Sequence, residues 1–278
     1  MKKLTILAYA KLNLFLRVTG RREDGYHLLQ SLFCAVDLAD EIVLEALPRG
    51  IELAAPPELG PVERNLAYRA ACLLLEGTEL GVGITLKKKI PPGAGLGGGS
   101  SDAAAVLVGL NTLYGLGKSN EELMALGAKL GADAPFFFGK SPAWVEGIGE
   151  RVYPAKISVP PAFLLVIPPF SCATEKVYKA FDELGIPLSS PGPLPRVPPF
   201  VNDLWPAAAH LYPELSRLRA MLEEVPSLGV GMSGSGSTLF LAFSSLDEAE
   251  KARAELSGRL QARLHVARPV EAGYKIVG

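Results

Sequence analysis

Three cysteines, three histidines and two tryptophans in 278 residues leave little material for the chemistries that depend on them. Cys34, Cys72 and Cys172 are an odd set with no CxxC spacing, and His27, His210 and His265 are scattered. No zinc site, iron–sulfur site or disulfide framework is expected, and a reducing cytoplasm suits such a chain. Charge of one sign is lacking too. Lys+Arg number 28 against Asp+Glu 29, a net charge of -1, so nothing marks the chain for nucleic acid or an anionic membrane surface. No stretch approaches the ~20 apolar residues of a membrane span. Leu4 to Ala10, behind Lys2-Lys3, imitates a signal peptide, but the run is short and Lys11 and Asn13 interrupt it. A soluble cytoplasmic protein is expected.

What is present is an ordinary globular composition, 49% hydrophobic and 21% charged, in a chain long enough for one large domain or two modest ones. Alternating aliphatic residues predict strands over 5–18, 28–36, 41–47 and 82–86, with Asp24-Gly25 as a turn. Asn65 starts a predicted helix to Glu76, Asp102 one to Tyr114, and Ser119 with Glu122 a capping box for a third. Beyond Trp144 prolines gather, most densely from Pro187 to Pro206, a stretch that reads as loop or linker. Strands then alternate with helices to Val270. An α+β protein divided into residues 1–155 and 156–278 is expected.

The dominant motif is Pro91-Pro92-Gly93-Ala94-Gly95-Leu96-Gly97-Gly98-Gly99-Ser100-Ser101-Asp102, followed by an alanine-rich helix. Five glycines in seven residues pack no core, and ordering them is costly unless a ligand needs bare backbone. Successive N–H groups, two serine hydroxyls and the positive end of a helix suit an anion. Gly93-x-Gly95-x-x-Gly98 also fits a dinucleotide fingerprint, but Pro91-Pro92 interrupts the approach from the strand. The P-loop fails, because Thr112 and Ala134 stand where its first glycine belongs before Gly117-Lys118-Ser119 and Gly139-Lys140-Ser141.

The Pro-x-Gly-Ala-Gly-Leu-Gly-Gly-Gly-Ser-Ser run resembles the phosphate loop of the GHMP kinases. Ala10-Lys11-Leu12-Asn13-Leu14 near the N-terminus and Met232-Ser233-Gly234-Ser235-Gly236-Ser237-Thr238 near the C-terminus agree in order and spacing. Gly131-Ala132-Asp133-Ala134-Pro135 looks like the segment that carries the family's catalytic aspartate. Asp24-Gly25-Tyr26-His27, Ala173 to Tyr178 and Asn202-Asp203-Leu204 are similar to segments of one branch. That branch phosphorylates the 2-hydroxyl of a cytidine-diphosphate-linked methylerythritol in the non-mevalonate route to isoprenoid precursors. Trp205 departs from the pattern, standing where a glutamate is expected.

The resemblance implies a two-domain fold with the site in the cleft, ATP as phosphoryl donor, Mg2+ beside it, a small-molecule acceptor, and a monomer or homodimer. Asp133 is implied as acceptor of the hydroxyl proton. Lys11 lies in an apolar strand, an expensive place for an ammonium unless an anion meets it, and Asp133 is the expected partner. The loop from Pro91 to Ser101 is implied to cradle phosphates. Asn65 either contacts adenine or only caps its helix, and Lys88 either reaches phosphates or ends a solvated strand. Asn13, Tyr26 and His27 are implied substrate contacts, with Tyr178 either the opposite face of a base sandwich or core. A dinucleotide-dependent oxidoreductase and a nucleic-acid-binding module are the competing readings. The first leaves Lys11, Asp133 and the second glycine loop without a task, and the second has no basic, aromatic-studded strand behind it.

Overall fold

The computed structural model describes residues 2–193 and 195–277. Two long strands, β1 (Lys3–Arg21) and β2 (His27–Leu47), pair antiparallel along nearly their whole lengths and turn at Gly25. Sequence alternation splits β2 at residues 37–40 and stops β1 at Val18. The structure keeps each strand whole by absorbing slips in register between Tyr9/Ala10, Asn13/Phe15 and Val18/Gly20. Such bulges re-aim side chains, and Lys11 and Asn13 sit between two of them.

The first sheet adds β3 (Ile51–Ala54), β4 (Gly81–Lys87), β5 (Ala143–Gly147) and β6 (Arg151–Pro154). Its last member is the chain's final strand, β11 (Tyr274–Ile276), which pairs with β1. The second sheet runs β10 (Arg263–Ala267), β7 (Ala162–Ile167), β9 (Leu239–Phe243), β8 (Gly229–Met232). The division expected after residue 155 falls in the connection between β6 and β7, while β11 returns to the first sheet. The short strands β3, β5, β6 and β11 are not among those expected from the sequence.

Helices α1 (Leu66–Leu75), α2 (Gly98–Tyr114) and α3 (Asn120–Ala128) cover the first sheet. α2 is buried on nearly every side, and its small residues let it lie close: a Cβ on Gly109 would stand 2.4 Å from Leu44 Cδ1. α4 (Thr174–Glu183), α5 (Trp205–Leu211), α6 (Pro213–Glu223) and α7 (Leu246–Leu256) belong to the second half. α5 begins inside the stretch read as loop. Pro206 lies in its first turn, where a missing N–H costs no helical bond. Trp205 packs on the second core with the Arg219 guanidinium 4.6 Å over its ring, so the departure at this position is absorbed locally. A third core of Leu12, Leu14, Phe15, Leu96, Phe163 and Phe240 lies between the sheets. It fixes the two halves against each other below the cleft. Among the described residues no helix is long and apolar enough to cross a membrane.

Candidate active site

A cleft of about 1200 Å³ opens between the halves. The glycine-rich segment forms its floor. Gly97 is the N-cap of α2 at φ 70°, and the helix starts at Gly98, four residues before the expected Asp102. A glycine cap has no side chain to satisfy the first N–H groups of a helix, which therefore remain donors for a ligand.

Three contacts clamp the segment. Leu96 O accepts from Lys11 N at 2.9 Å, Ala94 O from Thr238 N at 3.2 Å, and Gly95 O from Ser233 Oγ at 2.8 Å. The two glycine loops touch so closely that a Cβ on Gly95 would lie 2.1 Å from Ser233 O. From Pro91 to Ser100 the segment lines the cleft. Ser101 does not: it is buried, and its hydroxyl donates to Tyr9 O at 2.7 Å. This serine ties the helix to β1, whereas the sequence counts it in the cradle.

Lys11 and Asp133 meet against this floor. Lys11 is 3% exposed. Its Nζ lies 2.6 Å from Asn13 Oδ1, 3.3 Å from Asp133 Oδ2 and 4.8 Å from the centre of the Phe33 ring. The ammonium is thus met by a carboxylate, an amide oxygen and an aromatic face, which is what permits it in an apolar strand. Asn13 in turn donates to Ser31 Oγ at 3.0 Å, so the orientation of its amide is fixed. Asp133 stands at the start of a 3-10 turn, Ala134–Phe138, whose side chains are buried. The buried turn leaves the carboxylate facing the cleft. A Cβ on Gly97 would come within 3.0 Å of Lys11 Cγ, so lysine and phosphate floor are in direct contact.

Asn65 and Lys88 also line the cleft, and both have structural partners. Asn65 caps α1, its Oδ1 accepting from Ala67 N at 2.9 Å. Lys88 Nζ contacts Asp40 and, at 2.7 Å, Asp102 Oδ2. Asp40 also accepts from the backbone N–H groups of Lys89 and Ile90. Burial pushes the Asp102 carboxyl up to about 8 despite the lysine, which opposes the shift. The other Asp102 oxygen has no hydrogen-bond partner among the described residues. The two acids in turn hold Lys88 above the ordinary lysine range against the opposing effect of burial.

At the far end Tyr26, 60% exposed, stands on the hairpin, and His27 stacks on Tyr178 with ring centres 4.7 Å apart. Burial pushes the Tyr178 phenol well above its usual range, with a smaller push from the charge of Asp133. One wall therefore joins the aromatic end to the carboxylate end. Asp182 lies on it too, bonded to His27, and sequence reading missed it. The signal was available: Asp182 is four residues after Tyr178 on one helix, which places both on one face.

The arrangement can seat a polyphosphate on bare backbone and hold an alcohol against a lysine-bound carboxylate. The competing dinucleotide reading loses its fold, since β4 pairs antiparallel with β2 and the sheet is not doubly wound. Residues 65–140 match the model of the GHMP kinases N terminal domain, and residues 179–262 that of the GHMP kinases C terminal. The chain is 42% identical over 262 residues to the 4-diphosphocytidyl-2-C-methyl-D-erythritol kinase of Nitrosospira multiformis, covering 90% of this chain and 86% of that one. It is 43% identical over 274 residues to the protein of that name from Citrifermentans bemidjiense, covering 92% and 95%. A crystal structure of 4-(cytidine 5'-diphospho)-2C-methyl-D-erythritol kinase superposes with a TM-score of 0.81 at 39% identity, covering 95% of this chain and 99% of that one. Homoserine kinase from Cytophaga hutchinsonii, at 18% identity and a TM-score of 0.72 over 100% of this chain and 98% of its own, shares the fold. By both domain models and by relatives spanning most of its length, the chain belongs to the GHMP kinase family.

Proposed function

We propose that this chain transfers the γ-phosphoryl group of ATP to the 2-hydroxyl of 4-diphosphocytidyl-2-C-methyl-D-erythritol, releasing ADP, in the non-mevalonate route to isoprenoid precursors. The observation that carries the reading is the Lys11–Asp133 pair set against the phosphate floor at Gly97. The similarity to relatives with that printed activity supplies the acceptor. Residues 1–155 carry the nucleotide floor and both reacting-centre side chains, and residues 156–278 supply the opposite wall. The cytoplasm is the compartment we assign, from three cysteines with no paired spacing.

In the reaction the 2-hydroxyl oxygen forms a bond to the γ-phosphorus as the bond to the β–γ bridging oxygen breaks, and the hydroxyl proton passes to Asp133. Phosphoryl transfer of this kind asks the protein mainly for alignment and charge stabilisation. A carboxylate is a weak base toward an alcohol, so Asp133 orients the hydroxyl and takes the proton late. Lys11 holds Asp133 through the 3.3 Å contact and offsets charge growing on the attacking oxygen. The uncapped start of α2 receives the phosphates. Asn65 and Lys88 support the nucleotide end, and Asn13, Tyr26, His27 and Tyr178 the acceptor.

Among the described residues no group of three or more His, Cys, Asp or Glu side chains is placed to hold a metal ion. Magnesium keeps most of its waters and rides on substrate phosphates rather than in a protein cage, so it needs no such group. Bound there, magnesium would neutralise β- and γ-oxygens.

The test is ADP release on a panel of the diphosphocytidyl alcohol, mevalonate, homoserine and galactose. Turnover confined to the first is expected. Preference for any of the other three would sink the proposed acceptor.

A further inference from the structure

The hairpin between β1 and β2 reaches across the cleft to α4, where one carboxylate binds two of its side chains. Asp182 Oδ1 lies 2.8 Å from His27 Nε2, and Asp182 Oδ2 lies 3.2 Å from Arg21. The His27 side chain is only 7% exposed. Its ring stacks on Tyr178 at an interplanar angle of 25° and meets Phe181 edge-on at 5.9 Å. One helix therefore fixes the position, the tilt and the hydrogen bond of the imidazole.

The chemistry of that hydrogen bond sets the tautomer. An ionised carboxylate has lone pairs and no proton to give, so the hydrogen of the neutral ring must sit on Nε2. A neutral imidazole has a single N–H, which leaves Nδ1 a bare acceptor. Arg21 occupies the second oxygen of Asp182, so the carboxylate is held from both ends.

We infer that Asp182 is a positioning residue that sets base preference: by keeping the hydrogen on Nε2 it leaves His27 Nδ1 to accept from the exocyclic amino group of cytosine. The inference rests on the reading of His27 as part of a cytidine subsite. A base paired edge-to-edge with the imidazole lies in the imidazole plane, within the same 25° of parallel to Tyr178, so pairing and stacking are compatible. Uracil presents a carbonyl at that edge. Two acceptors then face each other at an imidazole that is only 7% exposed, and neither satisfies the other. Without Asp182 the ring is free to take the other tautomer and donate to that carbonyl.

The test has two arms. Nitrogen-15 NMR of ligand-free protein labelled at histidine, with His27→Gln for assignment, reads both ring nitrogens directly. In the wild-type protein at a pH where the ring is neutral, Nε2 should be protonated and Nδ1 bare. Asp182→Ala should give a mixture, and Asp182→Asn, whose amide oxygen also accepts, should keep the wild-type pattern. In the second arm kcat/KM is compared for the cytidine-linked and uridine-linked alcohols. The wild-type preference should be roughly 10²-fold or more, falling about tenfold in Asp182→Ala and surviving largely in Asp182→Asn. Asp182 lies near a helix end on the cleft wall, so both variants should fold.

A protonated Nδ1 in the neutral wild-type ring overturns the inference whatever alcohol the enzyme takes. An unchanged base preference in Asp182→Ala overturns it as well. Turnover of neither alcohol removes the proposed substrate and the base preference with it. The NMR arm distinguishes that failure from a wrong tautomer.

Discussion

Lys11 and Asp133 are separated by 122 positions, with β2 to β4 and α1 to α3 between them, yet their charges sit 3.3 Å apart. A buried ammonium that loses its carboxylate is strongly penalised, and a carboxylate without its lysine is free to turn. Asp133→Asn keeps the shape but removes the proton acceptor and its charge, and kcat should fall roughly 10²–10⁴-fold. Lys11→Ala should be similarly damaging. The double variant should cost far less than the product of the singles, because the two act as one unit. Independent, multiplicative losses in steady-state kinetics would remove the pair from the mechanism. Asp102 supports a second prediction. Its carboxyl is pushed up to about 8 in the folded chain, against ~3.9 in an unfolded one. Between those values the folded state holds a proton that the unfolded state has released, so stability falls as pH rises through that window and levels off above it. Melting temperatures from pH 5 to pH 9 should therefore decline more steeply in the wild-type protein than in Asp102→Asn. Equal slopes would show that Asp102 is ionised throughout.

At the scale of elements the phosphate floor is a strand-to-helix connection held by its neighbours rather than by itself. The sequence makes the floor legible because glycine density has few other uses, and because the alanine run behind it can only be a closely packed helix. The partner of each glycine is not legible. Gly95 is bare because Ser233 O approaches it, and Gly97 because Lys11 does; both neighbours come from distant segments. The structure thereby alters what a substitution should do. From sequence, Gly97→Val should weaken ATP binding by roughly an order of magnitude while the fold survives. With Lys11 Cγ at 3.0 Å and φ at 70°, the branched side chain must also push the lysine away from Asp133. Gly97→Val should therefore lower kcat at saturating ATP as well as ATP affinity, which isothermal titration and steady-state rates read separately. A variant with weakened ATP binding and wild-type kcat would show that the lysine does not feel the loop. On the hairpin, Tyr26→Ala removes an exposed ring and should raise KM for the cytidine substrate about tenfold, since a base–aromatic stack is worth ~1–3 kcal/mol. KM for ATP should stay close to the wild-type value.

For the molecule as a whole, the long strands and most of the helices were readable from alternation and capping, but their grouping into two sheets and the closure of the fold were not. The last strand, β11, is three residues long, too short for a pattern, and its role lies in where it lands. It pairs with β1 at Ile6–Ala8, while Gly273 O accepts from Tyr9 N at 3.0 Å and Glu271 O from Ser141 N at 2.9 Å. The chain thus leaves the second sheet and returns beneath the 3-10 turn that begins at Asp133. Gly273 is the point of contact: a Cβ there would stand 2.4 Å from Phe137 Cα and Phe137 O. Backbone cannot yield as a side chain end can, so Gly273→Ala must move either β11 or the turn. Phe137 is fully buried against Phe136, 5.2 Å between ring centres, so the turn moves as a packed block. A shift of even ~1 Å at a reacting carboxylate is enough to cost about 10²-fold in rate. Gly273→Ala should accordingly lower both the melting temperature and kcat, although the residue does not line the cleft, and leave KM for ATP nearly unchanged. If melting temperature fell with kcat intact, β11 would yield and the turn would not, and the final strand would be a staple for the fold without a hold on Asp133.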